Sequence, residues 1–347
     1  MSAHFKVLLL GAGGTLGGYI AELICDHRPD IELIVAMRHP PEAGSSLAEY
    51  EYRYLDLNIP DSYEKALNDI DVLVHAAGPF NHSPEPLLNA CFATETHYVD
   101  IAEDLHFLTQ VHRIAQNERP KRTCVLPGCS TVPALVSLLT QTFARIEDMA
   151  SIHVYLNMGS RNPVSYGLLR GLLQPLQQGY FRSLHDYHYR DGVKRTHGNY
   201  PLPLAEGFTV DQRVIPGCFF AGFDRRYINV MLSLAGRIIP SCSSSQLNTL
   251  TRAVLPVVGL LRLLGGKEGR LIVEARDEKR RALACWQLTA EDRGLYLPAA
   301  PSLWAVDALE KLGQAAPSGL IELSDLISVD DVVGWIQQQG YKIEFFE

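Results

Sequence analysis

The chain lacks any Cys-x-x-Cys pair. Its seven cysteines, an odd number, are Cys25, Cys91, Cys124, Cys129, Cys218, Cys242 and Cys285. That usage argues against a zinc ribbon and a disulfide framework, and fits small buried thiols. A cytoplasmic location is the expectation, because thiols stay reduced there. Basic charge is also short: 31 Lys and Arg face 39 Asp and Glu, a formal net charge of −8. A general nucleic-acid binder needs a basic face, so that class is set aside. No uninterrupted apolar run reaches the ~18 residues that would suggest a spanning helix. The nearest approach, Ala253 to Leu264, is broken by Pro256, Gly259 and Arg262. It reads first as a buried helix or the wall of an apolar substrate channel, with a membrane-surface contact as the minor reading. The opening MSAHFKVLLLGAGG leads a short apolar run straight into glycines, which predicts a first strand and not a signal peptide.

Hydrophobic residues make up 47% of the 347, enough for a sizeable core and about two domains. Apolar runs alternate with helical spacing through the first third. Strands are predicted at Phe5–Leu10, Glu32–Met37, Tyr52–Leu55, Asp71–Ala76, His97–Ile101 and Thr123–Leu126. Helices are predicted at Gly14–Cys25, Ser62–Leu67, Pro86–Thr94, Leu105–Gln116 and Pro133–Ala144. Such alternation implies an α/β fold: an N-terminal Rossmann-type, doubly wound parallel sheet over 1–145. Beyond it the pattern changes. Ser151–Asn157 alternates like a strand, and Arg190–Asp191–Gly192 marks a hairpin turn. Leu271–Ala275 and Ala284–Thr289 flank a second charged turn, and Ser241–Ser245 reads as a polar loop. Residues 146–347 are therefore read as an α+β domain for substrate and dimer contacts. Helices near Trp304–Leu312 and Asp330–Gln339 leave open whether the segment from about 300 packs back on the first domain.

The strongest motif is Gly11-Ala12-Gly13-Gly14-Thr15-Leu16-Gly17. One glycine permits the tight turn out of a strand, one lets backbone approach a pyrophosphate, and one lets helix and strand pack closely. The following helix N-terminus offers free N–H groups to phosphate. Gly11, Gly13, Gly14, Thr15 and Leu16 are thus expected to bind a dinucleotide. The second strand ends in Ala36-Met37-Arg38-His39, with no acid to hold two ribose hydroxyls. Arg38 suits a 2′-phosphate, so NADP is expected ahead of NAD. Asp56 is placed for the adenine edge or for capping its own turn. Ala77, Gly78, Pro79 and Phe80 follow the fourth strand, where small residues admit a cofactor.

In order and spacing, GAGGTLG, the HAAGPF of His75–Phe80, the HYVDIAE of His97–Glu103 and the LPGCSTVP of Leu126–Pro133 resemble the saccharopine dehydrogenase-like oxidoreductase family over about residues 5 to 140. Gly159–Ser165 and Gly319–Glu322 are weaker matches. The resemblance implies NAD(P)-dependent redox chemistry at a carbon bonded to nitrogen or oxygen, or at an enoyl double bond. It assigns no catalytic acid or base to a numbered position.

Hydride transfer belongs to the cofactor; the protein orients substrate and manages one proton. His82, Tyr98 and Asp100 are the candidates for that proton, and Asn81 lies beside the first. Asp100 equally suits a helix cap. Glu103 and Asp104 read as serving the first turn of the next helix. Cys129 and Ser130 begin a loop where N–H groups point at ligand, so Cys129 joins the cofactor-binding expectations. From the second domain, Arg161, Ser165, Tyr166, His185 and Tyr187 are candidates to wall the substrate. His185, His188 and His197 lack tight metal spacing, and no metal is expected. The leading expectation is an NADP-dependent oxidoreductase with a small-molecule substrate bound between the domains. A non-catalytic NADP sensor or scaffold on the same fold and a peripheral reductase of lipid compete with it.

Overall fold

Short apolar runs bounded by glycine or charge fold into β1 (Lys6–Leu10), β2 (Glu32–Met37), β3 (Glu51–Tyr54), β4 (Val72–His75), β5 (His97–Asp100) and β6 (Cys124–Leu126). Between them lie α1 (Thr15–His27), α2 (Tyr63–Leu67), α3 (Glu85–Thr94) and α4 (Leu105–Glu118). The computed structural model describes residues 4–118, 120 and 122–347. The predicted helix over Pro133–Ala144 is instead a π-helical stretch at Thr131–Val136, then α5 (Ser137–Thr140), then a 3-10 stretch at Gln141–Arg145.

The chain continues through β7 (Ser151–Met158), α6 (Tyr166–Gln177), β8 (Leu184–His188), β9 (Lys194–Tyr200), β10 (Phe208–Val210), β11 (Arg213–Ile215), β12 (Gly217–Phe223), α7 (Arg226–Ile238), α8 (Ser244–Leu261), β13 (Gly269–Arg276) and β14 (Ala282–Ala290). It ends with α9 (Tyr296–Leu312), β15 (Gly319–Leu320), α10 (Val329–Gln338) and β16 (Lys342–Phe346).

Two compact units result. The first runs to Leu135 and takes in Leu295–Ile327; the second comprises Val136–Gly294 and Ser328–Glu347. In the first, seven parallel strands take the order β15-β6-β5-β4-β1-β2-β3. Val7, Leu8 and Leu9 are wholly buried, as a central strand covered on both faces requires. Leu8, Ile34 and Leu73 pack with Tyr63, Leu88 and Phe107 from α2, α3 and α4. α1 packs on α9. Arg28, at the end of α1, binds Asp307 at 2.6 Å and also Glu310, both on α9.

The second unit holds a sheet of order β16-β14-β13-β7-β12-β9-β8, with β7 and β12 parallel and the other pairs antiparallel. The chain is therefore α/β, a Rossmann-type parallel sheet with a second mixed-sheet unit. Two sequence expectations need correction here. Ser241–Ser245 is not all loop: Ser243 caps α8 and forms a reciprocal capping box with Gln246, so the helix starts at Ser244. Nor is Ala253–Leu264 buried. Only Leu247 and Thr251 of α8 are, both upstream of that run.

Candidate functional site

β1 and β4 are sheet neighbours from which the chain proceeds in opposite directions, to β2 and β3 on one side and to β5 and β6 on the other. Ligands of open α/β sheets bind off the carboxyl ends of the strands at such a switch point. The loop leaving β1 is built for close approach. Gly11 has φ +91°, and a Cβ there would stand 2.7 Å from the Cα of Ala77, in the loop leaving β4. A Cβ on Gly17 would stand 2.1 Å from the Gly11 carbonyl, so α1 lies directly against its own strand. Gly14 is the N-cap of α1, no side chain caps it, and the first turn carries no acid. The free N–H groups and the positive end of the helix are left for an anion.

Gly13 and Gly14 are exposed, and Thr15 and Leu16 half-buried. Met37, at the tip of β2, comes beside this loop: a Cβ on Gly13 would stand 3.1 Å from its Sδ. Arg38 is exposed just beyond, and no ion pair involves it among the described residues. Asp56 holds its own turn, its Oδ1 accepting from the Asn58 backbone at 2.9 Å and side-chain amide at 3.0 Å. Gly78 is exposed, Ala77 and Pro79 half-buried, and the Phe80 ring packs against Phe107, centroids 5.0 Å apart.

At the end of β4 the sequence pattern hid a residue. His75 sits inside the run DVLVHA, reads as part of a strand, and is fully buried. The Ala77 N–H donates to its Nδ1 at 3.2 Å, which leaves the proton on Nε2. That nitrogen lies 3.2 Å from His82 Nε2, so His75 donates and His82 accepts. The remaining His82 proton is then on Nδ1, and the Pro79 carbonyl receives a bond from this ring. Burial, and then the neighbouring His82, hold His75 well below the usual histidine range. Burial lowers His82 too, against the pull of Pro79. Two neutral imidazoles in one oriented chain thus lie at this edge, and His82 is half-exposed.

Tyr98 and Asp100 have no exposure at all. The Tyr98 ring belongs to the core under the sheet, and burial keeps its phenol protonated. Asp100 binds the loops to each other: its Oδ1 accepts from Ala102 and Gly128 N–H, each at 2.9 Å, and its carbonyl from Cys129 N–H at 2.6 Å. Burial raises its carboxyl to about 6 although the Gly128 and Ala102 amides oppose it. Asp104 serves the first turn of α4, accepting from Phe107 N–H at 2.9 Å. Glu103, expected to do the same, does not. Its Oε1 accepts from the Ser130 hydroxyl at 2.6 Å and Val132 N–H at 3.1 Å, pinning the loop after β6. Cys129 is buried with its sulfur on the Leu126 carbonyl, and burial pushes the thiol well up.

In the second unit, Ser165 caps α6, accepting from Leu168 N–H at 3.4 Å, with Tyr166 next and exposed Arg161 before it. His185 and Tyr187 stand on β8, where the Tyr187 hydroxyl is taken by Glu274 at 2.5 Å. Among the described residues no hydrogen bond or ring contact joins that pair to the α6 group, so the five do not form one cluster. His197 is buried, and burial lowers it to about 4. Among the described residues no three His, Cys, Asp or Glu side chains come together as a metal site.

Residues 7–125 match the family model described as the saccharopine dehydrogenase NADP binding domain. No curated protein matches the chain. Among solved structures, apo saccharopine dehydrogenase (L-Glu forming) from Saccharomyces cerevisiae aligns with TM-score 0.58 and 12% identity, over 99% of this chain and 100% of that one. A meso-dapdh mutant from Clostridium tetani E88 with DAP gives 0.46 and 13%, over 93% and 94%. Dipicolinate-bound dihydrodipicolinate reductase from Paenisporosarcina sp. TG-14 gives 0.41 and 12%, over 94% and 100%. The yeast enzyme is a likeness of fold.

Proposed function

We propose that this chain, whose residues 7–125 match the model described as the saccharopine dehydrogenase NADP binding domain, is an oxidoreductase that moves a hydride between NADP and a C=N, C=O or enoyl C=C group of a small molecule. The observation that carries the reading is the uncapped N-terminus of α1, set behind a glycine turn at the switch point between β1 and β4. The free backbone amides around the start of α1, those of Gly13, Thr15 and Leu16, would take the pyrophosphate, the Gly14 N–H being held by the Gly11 carbonyl. Arg38 would take the 2′-phosphate, and Ala77 and Gly78 would leave room beside β4. NADP, when bound, gives or accepts the hydride.

Proton handling falls to His82 in this reading. Tyr98 and Asp100 are closed off from ligand, whereas His82 is half-exposed and held in one tautomer by His75. To take or return a proton, this neutral ring exchanges its bond to His75 or to Pro79 for one to the substrate.

NADPH titration by fluorescence tests the cofactor half. Wild type binds; Gly14→Asp, which puts a carboxylate where phosphate would sit, does not. Arg38→Ala weakens NADPH about tenfold or more and leaves NADH nearly unchanged. No binding by wild type at millimolar NADPH overturns the reading. On a panel of imines, ketones and enoyl compounds, His82→Asn lowers turnover about a hundredfold with NADPH affinity intact. Tight cofactor binding without turnover anywhere on the panel would leave a sensor.

A further inference from the structure

The second unit carries an apolar surface that its own packing leaves open. α6, α7 and α8 close over one core, in which Leu173 and Leu176 meet Phe181, Ile239 and Leu247. The outward faces of α7 and of the end of α8 are not the polar ones such helices present to water. On α7, Tyr227, Met231, Leu234 and Ile238 recur four, three and four residues apart, a single stripe, and Ile238 is 68% exposed. Beyond Thr251 on α8, Leu260 is 68% exposed, and Leu263, just past its end, 71%. No residue from Arg252 to Leu264 is fully buried, although nine of the thirteen are Ala, Val or Leu. Single exposed leucines are ordinary; a clustered set implies something that covers it.

Charge identifies the occupant. The 43 residues from Arg225 to Lys267 hold six Lys or Arg and no Asp or Glu, in a chain of formal charge −8. Arg226, Arg237 and Arg252 are exposed, and no ion pair involves them among the described residues. Arg262 directs its guanidinium to the Arg161 carbonyl, at 3.0 Å, so its charge is not cancelled. A two-fold contact with a second copy would set this patch against itself, cation facing cation with no carboxylate between. An anionic lipid surface offers both partners at once: acyl chains for the aliphatic side chains and phosphates for the arginines.

Spanning is a poorer fit. Ser244–Leu264 is long and apolar enough by length and composition to cross a membrane. Its first half, however, is rich in Ser, Asn and Thr, and Leu247 and Thr251 are buried in the unit's core. The apolar remainder, 253–264, rises about 18 Å, short of a hydrocarbon core of about 30 Å.

We propose that α7 and α8 seat the chain on an anionic phospholipid surface, lying in the interface plane. The proposal is independent of the cofactor reading. The test is sedimentation of the full chain with vesicles of phosphatidylcholine alone, or with phosphatidylserine added. Binding to the phosphatidylserine vesicles is expected to be about tenfold tighter or more, and to weaken as salt is raised. Leu260→Asp with Leu263→Asp abolishes vesicle binding, and Arg237→Gln with Arg252→Gln removes the lipid preference. Each variant keeps the wild-type Tm and NADPH affinity, since these side chains project from the surface. Sedimentation velocity runs alongside. A dimer that the two aspartates dissociate, with no vesicle binding, assigns the face to a second copy and overturns the proposal. A monomer that binds neither vesicle also overturns it.

Discussion

Asp100 decides more than its position after β5 suggests. Its buried carboxylate accepts two backbone N–H bonds, from Ala102 and Gly128, and its own carbonyl takes a third from Cys129. Burial raises the carboxyl from 3.8 to about 6. Between those two values the folded chain keeps a proton that the unfolded chain has released. Stability therefore falls as pH rises through that window, and stays lower above it. The whole difference is worth about 3 kcal/mol. Asp100→Asn keeps an acceptor for both amides and removes the titration, so urea midpoints become flat between about pH 4 and about pH 6 for this group. Asp100→Ala strands both N–H groups and destabilises by about 2–4 kcal/mol at all pH values. A wild-type stability that rises across the window, with Asn and Ala variants alike, would show that the carboxylate is not held this way. The sequence offered Asp100 as cap or as ligand with equal claim. Residue order cannot tell which way a side chain turns at the end of a strand. His75 was lost for the opposite reason: the apolar run around it disguised a ring that organises His82.

Elements with one-sided patterns were legible, and elements without them were not. β1, β2 and β4 to β6, and the helices between β1 and β6, could be read because each apolar run stops at a glycine, a charge or a helical repeat. β12, of sequence GCFFAGF, has neither strict alternation nor a long run, and β16 is five residues at the chain end. α7 and α8 point aliphatic residues both inward and outward, so apolarity there could not report burial. α9 shows the difficulty most clearly. Eleven of its residues are buried, around its whole circumference, so no stripe in the sequence names a partner. Part of its docking is fixed by charge instead: Arg28 binds Asp307 and Glu310, and burial raises the Asp307 carboxyl against Arg28's opposing pull. Arg28→Met leaves those acids with no cation from α1 and destabilises by about 2 kcal/mol, less than a fully buried pair because the acids are partly exposed. Adding Asp307→Asn to Arg28→Met recovers part of the loss. Additive effects in that double-mutant cycle would mean that the pair does not couple α1 to α9.

At the scale of the whole chain, the two units are interleaved in sequence: the parallel-sheet unit is interrupted at Leu135, resumes at Leu295 and stops at Ile327. β15 pairs in parallel with β6, and α9 lies on α1, so the late segment completes a sheet begun near the N-terminus. Completion of that kind has a thermodynamic signature. A ligand that binds only the folded state stabilises it by about 2.7 kcal/mol at one hundred times its Kd. Amides that exchange only when the unit opens then slow by about a hundredfold. With NADPH added, amide exchange is expected to slow in β1, in β4 and equally in α9, far along the chain. The size of the effect in α9 should match β1 rather than β13, which belongs to the second unit. Hydrogen exchange read by mass spectrometry resolves these segments. Protection that grows in β1 to β6 while α9 exchanges at its unliganded rate would separate the late segment from the cofactor unit, and with it the seven-stranded sheet as one cooperative structure.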